Sequence, residues 1–145
     1  MYFQQIDVTG CRIVGAITKE LGHSGPKHHG LILGKSLING QVYIAELMEH
    51  GYQVSTYKNF FNRYVNNGNI VVRPNDGQFE SLQVAKRAMS ELKLNANNQY
   101  DLIANNCECF VNRAVYDKSV SSQVVNAVQG VLILAGIGYV LNDAK

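Results

Sequence analysis

Residues 28–47 read HHGLILGKSLINGQVYIAEL, two apolar runs with a polar turn between them. The first run covers residues 28–34 and the second covers residues 41–47, and both have the length and composition of strands. Asn39-Gly40 separates them, and this pair is the residue combination that tight hairpin turns prefer. The segment therefore predicts an antiparallel β-hairpin.

Three further strands are expected outside this hairpin, over residues 8–17, 53–56 and 69–73, with loops over residues 21–27 and 94–99. Strands and helices follow one another without strict alternation along the chain. This order predicts an α+β fold in which an antiparallel β-sheet packs against helices. The length of 145 residues fits a single domain over residues 1–145.

Three helices are expected beside the sheet. The first covers residues 58–64. The second follows Asn75-Asp76-Gly77, which supplies capping residues, and it carries Leu82, Ala85, Met89 and Leu92 on one face. The third begins near Asn106 and directs Phe110, Val111 and Ala114 inward.

The composition narrows the class of protein. Hydrophobic residues make up 46% and charged residues 17%, which is typical of a globular chain. A net charge of +2, without an arginine-rich stripe, argues against a nucleic-acid partner. The number of cysteines is three, which is odd, and Cys107 and Cys109 are too close to bridge within one helical turn. The first residues contain no basic region followed by an apolar one, so we expect no secretory signal. The odd number of cysteines favours a reducing compartment, so we expect a cytoplasmic protein. We expect no cofactor.

The C-terminal part is more apolar than the rest. Between Val124 and Leu141 only Asn126 and Gln129 interrupt apolar or glycine positions. The unbroken portion, residues 130–141, is shorter than the roughly 20 residues that a membrane-spanning helix needs. We therefore expect an apolar C-terminal helix that is buried or faces a partner, with a membrane-surface or homo-oligomer contact as the alternative.

Cys107 is the candidate nucleophile. It lies in Asn105-Asn106-Cys107-Glu108-Cys109-Phe110, at the predicted start of a helix. Asn106 can cap that helix, and the free N–H groups there favour a thiolate, lower the thiol pKa and can hold an oxyanion together with Cys107. The alternative for Cys107 taken by itself is an inert buried cysteine.

His28 is the candidate base. On a strand it shares a face with Gly30, which leaves room for a helix to approach, whereas His29 points to the opposite face. A third group must orient the imidazole, and Glu46 on the paired strand is the best candidate. Glu49 and His50 are the alternatives.

A zinc site is not expected from these residues. Cys107 and Cys109 together with His28 and His29 do not have the spacing of zinc ligands, and two residues separated by one position on a helix point apart. His23 and His50 are interpreted as ordinary surface or core histidines.

These motifs resemble the lecithin:retinol acyltransferase (LRAT)-like family, a circularly permuted branch of the papain-like thiol enzymes that is related to NlpC-type peptidases. The family has a histidine in an H-x-G/A-I-Y-x-G strand, which is similar to residues 28–34, and a nucleophile in N-C-E-H-F, which is similar to residues 106–110. The resemblance extends over roughly residues 27–128 and implies Cys107 as nucleophile and His28 as base. Two positions depart from the family pattern. The family often has a second histidine in a V-I-H run of the next strand, where this chain has Val42-Tyr43-Ile44-Ala45-Glu46, and Cys109 replaces the histidine of N-C-E-H-F.

We therefore expect a thiol hydrolase or acyltransferase that forms an acyl-thioester on Cys107, from an ester or an amide. The family motifs and the apolar C-terminus favour a lipid acyl substrate over a small acyl or peptide substrate. The alternatives are a cysteine peptidase or amidase of NlpC type, which Glu46 favours, and a non-catalytic binding or regulatory module that retains the fold.

Overall fold

A computed structural model describes residues 7–95 and 106–118 of the chain. The bounds of the five strands are β1 Arg12–Ala16, β2 Lys27–Lys35, β3 Val42–Met48, β4 Gly51–Thr56 and β5 Val71–Arg73. The bounds of the three α-helices described are α1 Tyr57–Tyr64, α2 Ser81–Leu94 and α3 Cys107–Tyr116. The strands form one antiparallel sheet in the order β4-β3-β2-β1-β5, which confirms the predicted α+β class.

The hairpin predicted from Asn39-Gly40 is present between β2 and β3. Gly40 has a φ of 72°, in the left-handed region that glycine adopts without strain. Gly30 pairs with Glu46 in this hairpin, and the register shifts between Ile32 and Gly34. The first residues of β2 pair only with β1, so β2 and β3 separate at the end of the sheet where His28 lies.

Helices cover both faces of the sheet. On one face the core contains residues of β2, β3, α2 and α3, namely Leu31, Ala45, Leu47, Val84, Ala88, Phe110, Val111, Ala114 and Val115. On the other face a smaller core joins the sheet to α1 through Ile13, Ile32, Ile44 and Phe60. Because side chains alternate along β2, His28 belongs to the α1 face and His29 to the α3 face.

Helix α1 approaches the sheet closely at Gly15. The helix begins after Thr56, whose side-chain oxygen accepts a hydrogen bond from the Asn59 N–H. A Cβ added at Gly15 would lie 2.7 Å from Cβ and Cγ of Tyr64. The prediction that Gly30 leaves space for a helix to approach the sheet is wrong, because Ile44 of the neighbouring strand fills the space over Gly30.

Helix α2 differs from its prediction at its start. It begins at Ser81 after Glu80, with no side-chain cap, so Asn75-Asp76-Gly77 does not cap it. The Asn75 side chain instead closes the preceding turn by accepting a hydrogen bond from Gly77 N and donating one to Phe79 O. Leu82 is 60% exposed, which also corrects its place on the inward face.

Helix α3 follows its prediction. The Asn106 side chain caps it by accepting a hydrogen bond from Cys109 N at 3.0 Å, and Phe110, Val111 and Ala114 are buried. Asp117 ends the helix with a φ of 59°. The predicted C-terminal helix over residues 124–141 lies outside the described residues, as do residues 96–99 of the predicted loop. Within the described ranges, no helix has the length and apolar character needed to cross a membrane.

Candidate active site

His28 and Glu46 meet across the hairpin. His28 Nε2 lies 2.9 Å from Glu46 Oε1, and both side chains are buried. The register explains this contact, because Glu46 pairs with Gly30 and projects from the same face of the sheet as His28. Of the three groups that the sequence offered to orient the imidazole, Glu46 is the one that reaches it.

Glu46 accepts hydrogen bonds from three further side chains. Ser55 Oγ donates to Oε2 at 2.6 Å, Gln53 Nε2 donates to Oε2 at 3.0 Å, and Arg63 Nη2 lies 2.7 Å and 2.8 Å from the two oxygens. Burial raises the pKa of Glu46, but the hydrogen bonds from His28 and these three donors together outweigh it and lower the pKa to about 2. The carboxyl is therefore ionised at neutral pH.

The ionised carboxylate determines which imidazole nitrogen is available. A carboxylate only accepts hydrogen bonds, so the His28 nitrogen that faces Glu46, Nε2, carries the proton. Neutral imidazole has one N–H, which leaves Nδ1 with a lone pair. The His28 ring also stacks against Phe60 and Tyr64, with centroid distances of 5.6 Å and 5.2 Å. The contacts therefore hold both the tautomer and the ring plane of His28.

Cys107 lies at the N-terminus of α3, beside the start of β2. Its Sγ–H donates to the carbonyl oxygen of Lys27 at 3.8 Å, where β2 has separated from β3. Lys27 immediately precedes His28, so the sulfur lies beside the strand backbone that carries the imidazole. Among the described residues no hydrogen bond joins this sulfur to His28.

The Cys107 thiol is not ionised at rest. Burial raises the pKa of Cys107 to about 11, although hydrogen bonds from the backbone N–H groups of His29, Glu108 and Cys107 act in the opposite direction. The lowered pKa predicted from the helix start is therefore wrong. Burial of the sulfur outweighs the N–H groups of the helix end.

The comparison with known families bears on this pair of residues. The sequence model described as Lecithin retinol acyltransferase matches residues 21–120, a span that includes His28, Glu46 and Cys107. The chain belongs to the lecithin retinol acyltransferase family. A comparison with curated proteins gives no match. At family level this membership supports an acyltransferase or hydrolase-like function.

His29, which follows the candidate base of this family member, has different surroundings. Its Nδ1 lies 3.0 Å from Arg12 Nη1, and its Nε2 lies 3.9 Å from Glu108 Oε2. Burial lowers the pKa of His29 well below its ordinary value, and the charge of Arg12 lowers it further. Arg12 can only donate, so Nδ1 of His29 is an acceptor already in use, and the ring joins β2 to β1.

The other histidines and carboxylates that the sequence raised lie elsewhere. His50 and Glu49 are exposed in the turn before β4, and His50 Nε2 lies 3.0 Å from Gln53 Oε1. His23 contacts the carbonyl oxygen of Asn69. Over residues 7–95 and 106–118, no three His, Cys, Asp or Glu side chains come together as metal ligands.

Sequence reasoning missed the donors around Glu46 in this family member. Arg63 makes the most contacts with the carboxylate, yet it lies in a helix that meets β3 only through tertiary packing. The spacing of Phe60 and Tyr64 at i and i+4 did carry a signal, because it indicates one helix face directed toward the sheet. That face is the one that covers His28.

Proposed function

We propose that this chain is a cysteine-dependent acyl hydrolase or acyltransferase that forms an acyl-thioester on Cys107, with acyl lipids as the favoured substrate class. The observation that carries the proposal is the His28–Glu46 pair beside a thiol bound to the carbonyl of Lys27, the residue before His28. Family membership supports the reaction class, and the acyl donor in the family's name, lecithin, supports an acyl lipid as donor. Glu46 orients the base in this proposal.

The first half of the reaction acylates the sulfur. His28 Nδ1 takes the Cys107 proton while the sulfur attacks the acyl carbonyl carbon, and a new S–C bond forms. The negative charge that develops on the carbonyl oxygen is received by the N–H groups of Cys107 and Glu108, which face the sulfur at rest. The bond to the leaving alcohol or amine then breaks, and the leaving group takes the proton from His28.

The second half releases the acyl group. Water or an acceptor alcohol loses a proton to His28 as its oxygen attacks the thioester carbonyl. The C–S bond breaks, and the sulfur recovers the proton. Water gives a free acid and an alcohol gives an ester, so the acceptor decides between hydrolysis and transfer.

The high pKa of Cys107 fits a base that acts during attack. A thiol with a pKa of about 11 has little thiolate at neutral pH, so its reactivity depends on proton removal in the transition state. Glu46 contributes to that step because its negative charge stabilises the positive charge that develops on the imidazole. Rotation of the thiol from the Lys27 carbonyl toward Nδ1 precedes the transfer.

Trapping the acyl group tests the proposal. The chain is incubated with a short-chain phosphatidylcholine or with a peptide amide, quenched in acid and analysed by mass spectrometry of its peptides. We expect an acyl mass on Cys107 from the phospholipid, and loss of turnover in Cys107→Ala. Cys109→Ala is the matched control, because this buried thiol lies two positions along the same helix.

Two results would contradict the proposal. One is labelling of Cys11 and Cys109 at the rate of Cys107; the other is full turnover in Cys107→Ala. An adduct from the peptide amide but not from the phospholipid would retain the nucleophile and change the substrate class to that of a peptidase or amidase.

A non-catalytic binding module is the second candidate. The observation that favours it is the burial of Cys107, whose side chain is 5% exposed and hydrogen-bonded to a backbone carbonyl. Such a module would retain phospholipid vesicles or a ligand without forming an adduct. Binding that is equal in wild type and Cys107→Ala, with no turnover in either, would favour it.

A further inference from the structure

We propose that Arg63 is a positioning residue of this site, which acts through Glu46 to hold the His28 imidazole in place. The proposal rests on the proposed function, since it assigns Arg63 to the same thiol chemistry. Arg63 lies in the last turn of α1, on the helix face that covers His28. Neither the sequence motifs nor the family match draws attention to it.

The contacts of Arg63 hold both oxygens of the carboxylate, including the one that binds the imidazole. Its Nη2 donates to both Glu46 oxygens, at 2.7 Å and 2.8 Å, and lies 3.3 Å from Ser55 Oγ. Ser55 donates to the same carboxylate at 2.6 Å. A carboxylate bound by several donors cannot rotate freely, so the oxygen that receives His28 Nε2–H stays in place.

Arg63 is itself held by its neighbours. Its Nε donates to Asn59 Oδ1 at 2.8 Å, and Nη1 donates to Tyr64 OH at 3.2 Å. Its guanidinium carbon lies 5.4 Å from the Phe60 ring centroid and 5.1 Å from the Tyr64 centroid. The same two rings stack on His28, so a single aromatic pair aligns the imidazole and the guanidinium.

Arg63 also contributes a charge. The titratable and charged groups around His28 come from β3, α1, α3 and from β2 itself: Glu46, Arg63, Tyr64, Cys107, Lys27 and His29. Within this set the guanidinium forms an ion pair with Glu46 and partly balances its negative charge. Loss of Arg63 would therefore remove a positive charge as well as a hydrogen-bond donor from the carboxylate that binds His28.

The test compares Arg63→Met and Arg63→Lys with wild type in two measurements. The first is the pH profile of kcat/KM for an activated ester, and the second is the pH dependence of the His28 ring nitrogens in ¹⁵N NMR of the full chain. For Arg63→Met we expect kcat to fall at least about tenfold, with KM less affected, because the base loses its alignment. We also expect the midpoint of the acid side of the kcat/KM profile and the midpoint of the His28 NMR titration to move, because Glu46 loses the positive charge that is paired with it.

The lysine variant separates charge from geometry. Arg63→Lys keeps the positive charge, so both pH midpoints should return to the wild-type position, while kcat recovers only in part because an ammonium lacks the planar fork. Arg113→Met is the matched control. Arg113 of α3 donates to the two carboxylate oxygens of Glu91 of α2, at 2.6 Å and 2.8 Å. Its side chain is 24% exposed, against 25% for Arg63. We expect this control to lower stability without moving either midpoint.

Unchanged midpoints and an unchanged kcat in Arg63→Met would overturn the assignment, as would effects that equal those of Arg113→Met. The NMR measurement does not need turnover. If wild type forms no acyl-enzyme, the proposed function fails, but a shift of the ring transition in Arg63→Met with recovery in Arg63→Lys would still support the positioning role.

Discussion

His28 and His29 are adjacent in sequence and lie on opposite faces of the same sheet with opposite electrostatic surroundings. His28 faces an ionised carboxylate at 2.9 Å on the α1 side, whereas His29 faces the Arg12 guanidinium at 3.0 Å on the α3 side. The carboxylate accepts the Nε2 proton of His28 and leaves the lone pair of Nδ1, which the proposed function uses as a base. The arginine occupies Nδ1 of His29 and opposes its protonation. Burial and the partner on each face, rather than the residue type, distinguish the two histidines.

The largest expected effect comes from exchanging each histidine for asparagine. His28→Asn removes the proposed base, and we expect kcat/KM to fall by about 10²- to 10⁴-fold with the fold retained. His29→Asn should lower the free energy of unfolding by about 1–3 kcal/mol, because the buried Arg12 loses a well-placed acceptor, while the chemistry remains. Ester turnover and urea unfolding of both variants measure the two effects. Equal losses of turnover would remove the distinction between the two faces.

The next effect in size is the contribution of Glu46 to the stability of the fold at acid pH. Its pKa is lowered from an ordinary 4.5 to about 2 in the folded chain, so the ionised form stabilises the fold above pH 4.5. This contribution, roughly 3 kcal/mol for a shift of this size, is lost as the pH falls from about 5 through 2. Measured by urea unfolding, the free energy of unfolding should therefore fall more steeply with decreasing pH for wild type than for Glu46→Gln.

Glu49→Gln is the matched control for acid stability, because Glu49 is exposed in the turn that follows β3. We expect the free energy of unfolding of this variant to fall with decreasing pH as steeply as that of wild type. Parallel slopes for wild type and Glu46→Gln would mean that the carboxylate on the α1 face is not held as described.

A smaller effect separates the two glycines near His28. Gly15→Ala would bring a Cβ to 2.7 Å from Tyr64 Cβ and Cγ, which pushes α1 away from the sheet and costs about 1–3 kcal/mol. Gly30→Ala would meet Ile44 Cγ2 at 2.7 Å, the end of a side chain in the neighbouring strand. We expect both to lower the melting temperature but only Gly15→Ala to lower kcat. A fall in kcat for Gly30→Ala but not for Gly15→Ala would contradict the assignment of Gly15 as the position where the approach of α1 to the sheet matters for the site.

The sequence predicts those features that depend on neighbouring residues. The Asn39-Gly40 pair in the loop between β2 and β3 predicts the hairpin, and the hairpin pairs Glu46 with Gly30. The exact register was not predictable from the turn, because it shifts between Ile32 and Gly34. The Asn106 cap is equally local. Helix α2 is a case in which local reasoning was wrong, because Asn75 has its own turn to close and leaves the helix to begin at Ser81.

Features that depend on tertiary packing could not be predicted. Arg63 reaches Glu46 only because α1 docks over Gly15, and nothing in the sequence near either residue indicates that contact. The thiol pKa is the second example. The helix start predicts a lower value, but the burial that raises it comes from the whole fold around β2 and α3.

The most direct measurement is the rate of Cys107 acylation by an activated ester as a function of pH, in wild type and in His28→Asn. If His28 removes the proton during attack, wild type reacts in the neutral range. His28→Asn should then react only in the alkaline range that the raised thiol pKa of about 11 sets. Superimposed profiles for the two proteins would contradict a thiol and an imidazole acting as one unit.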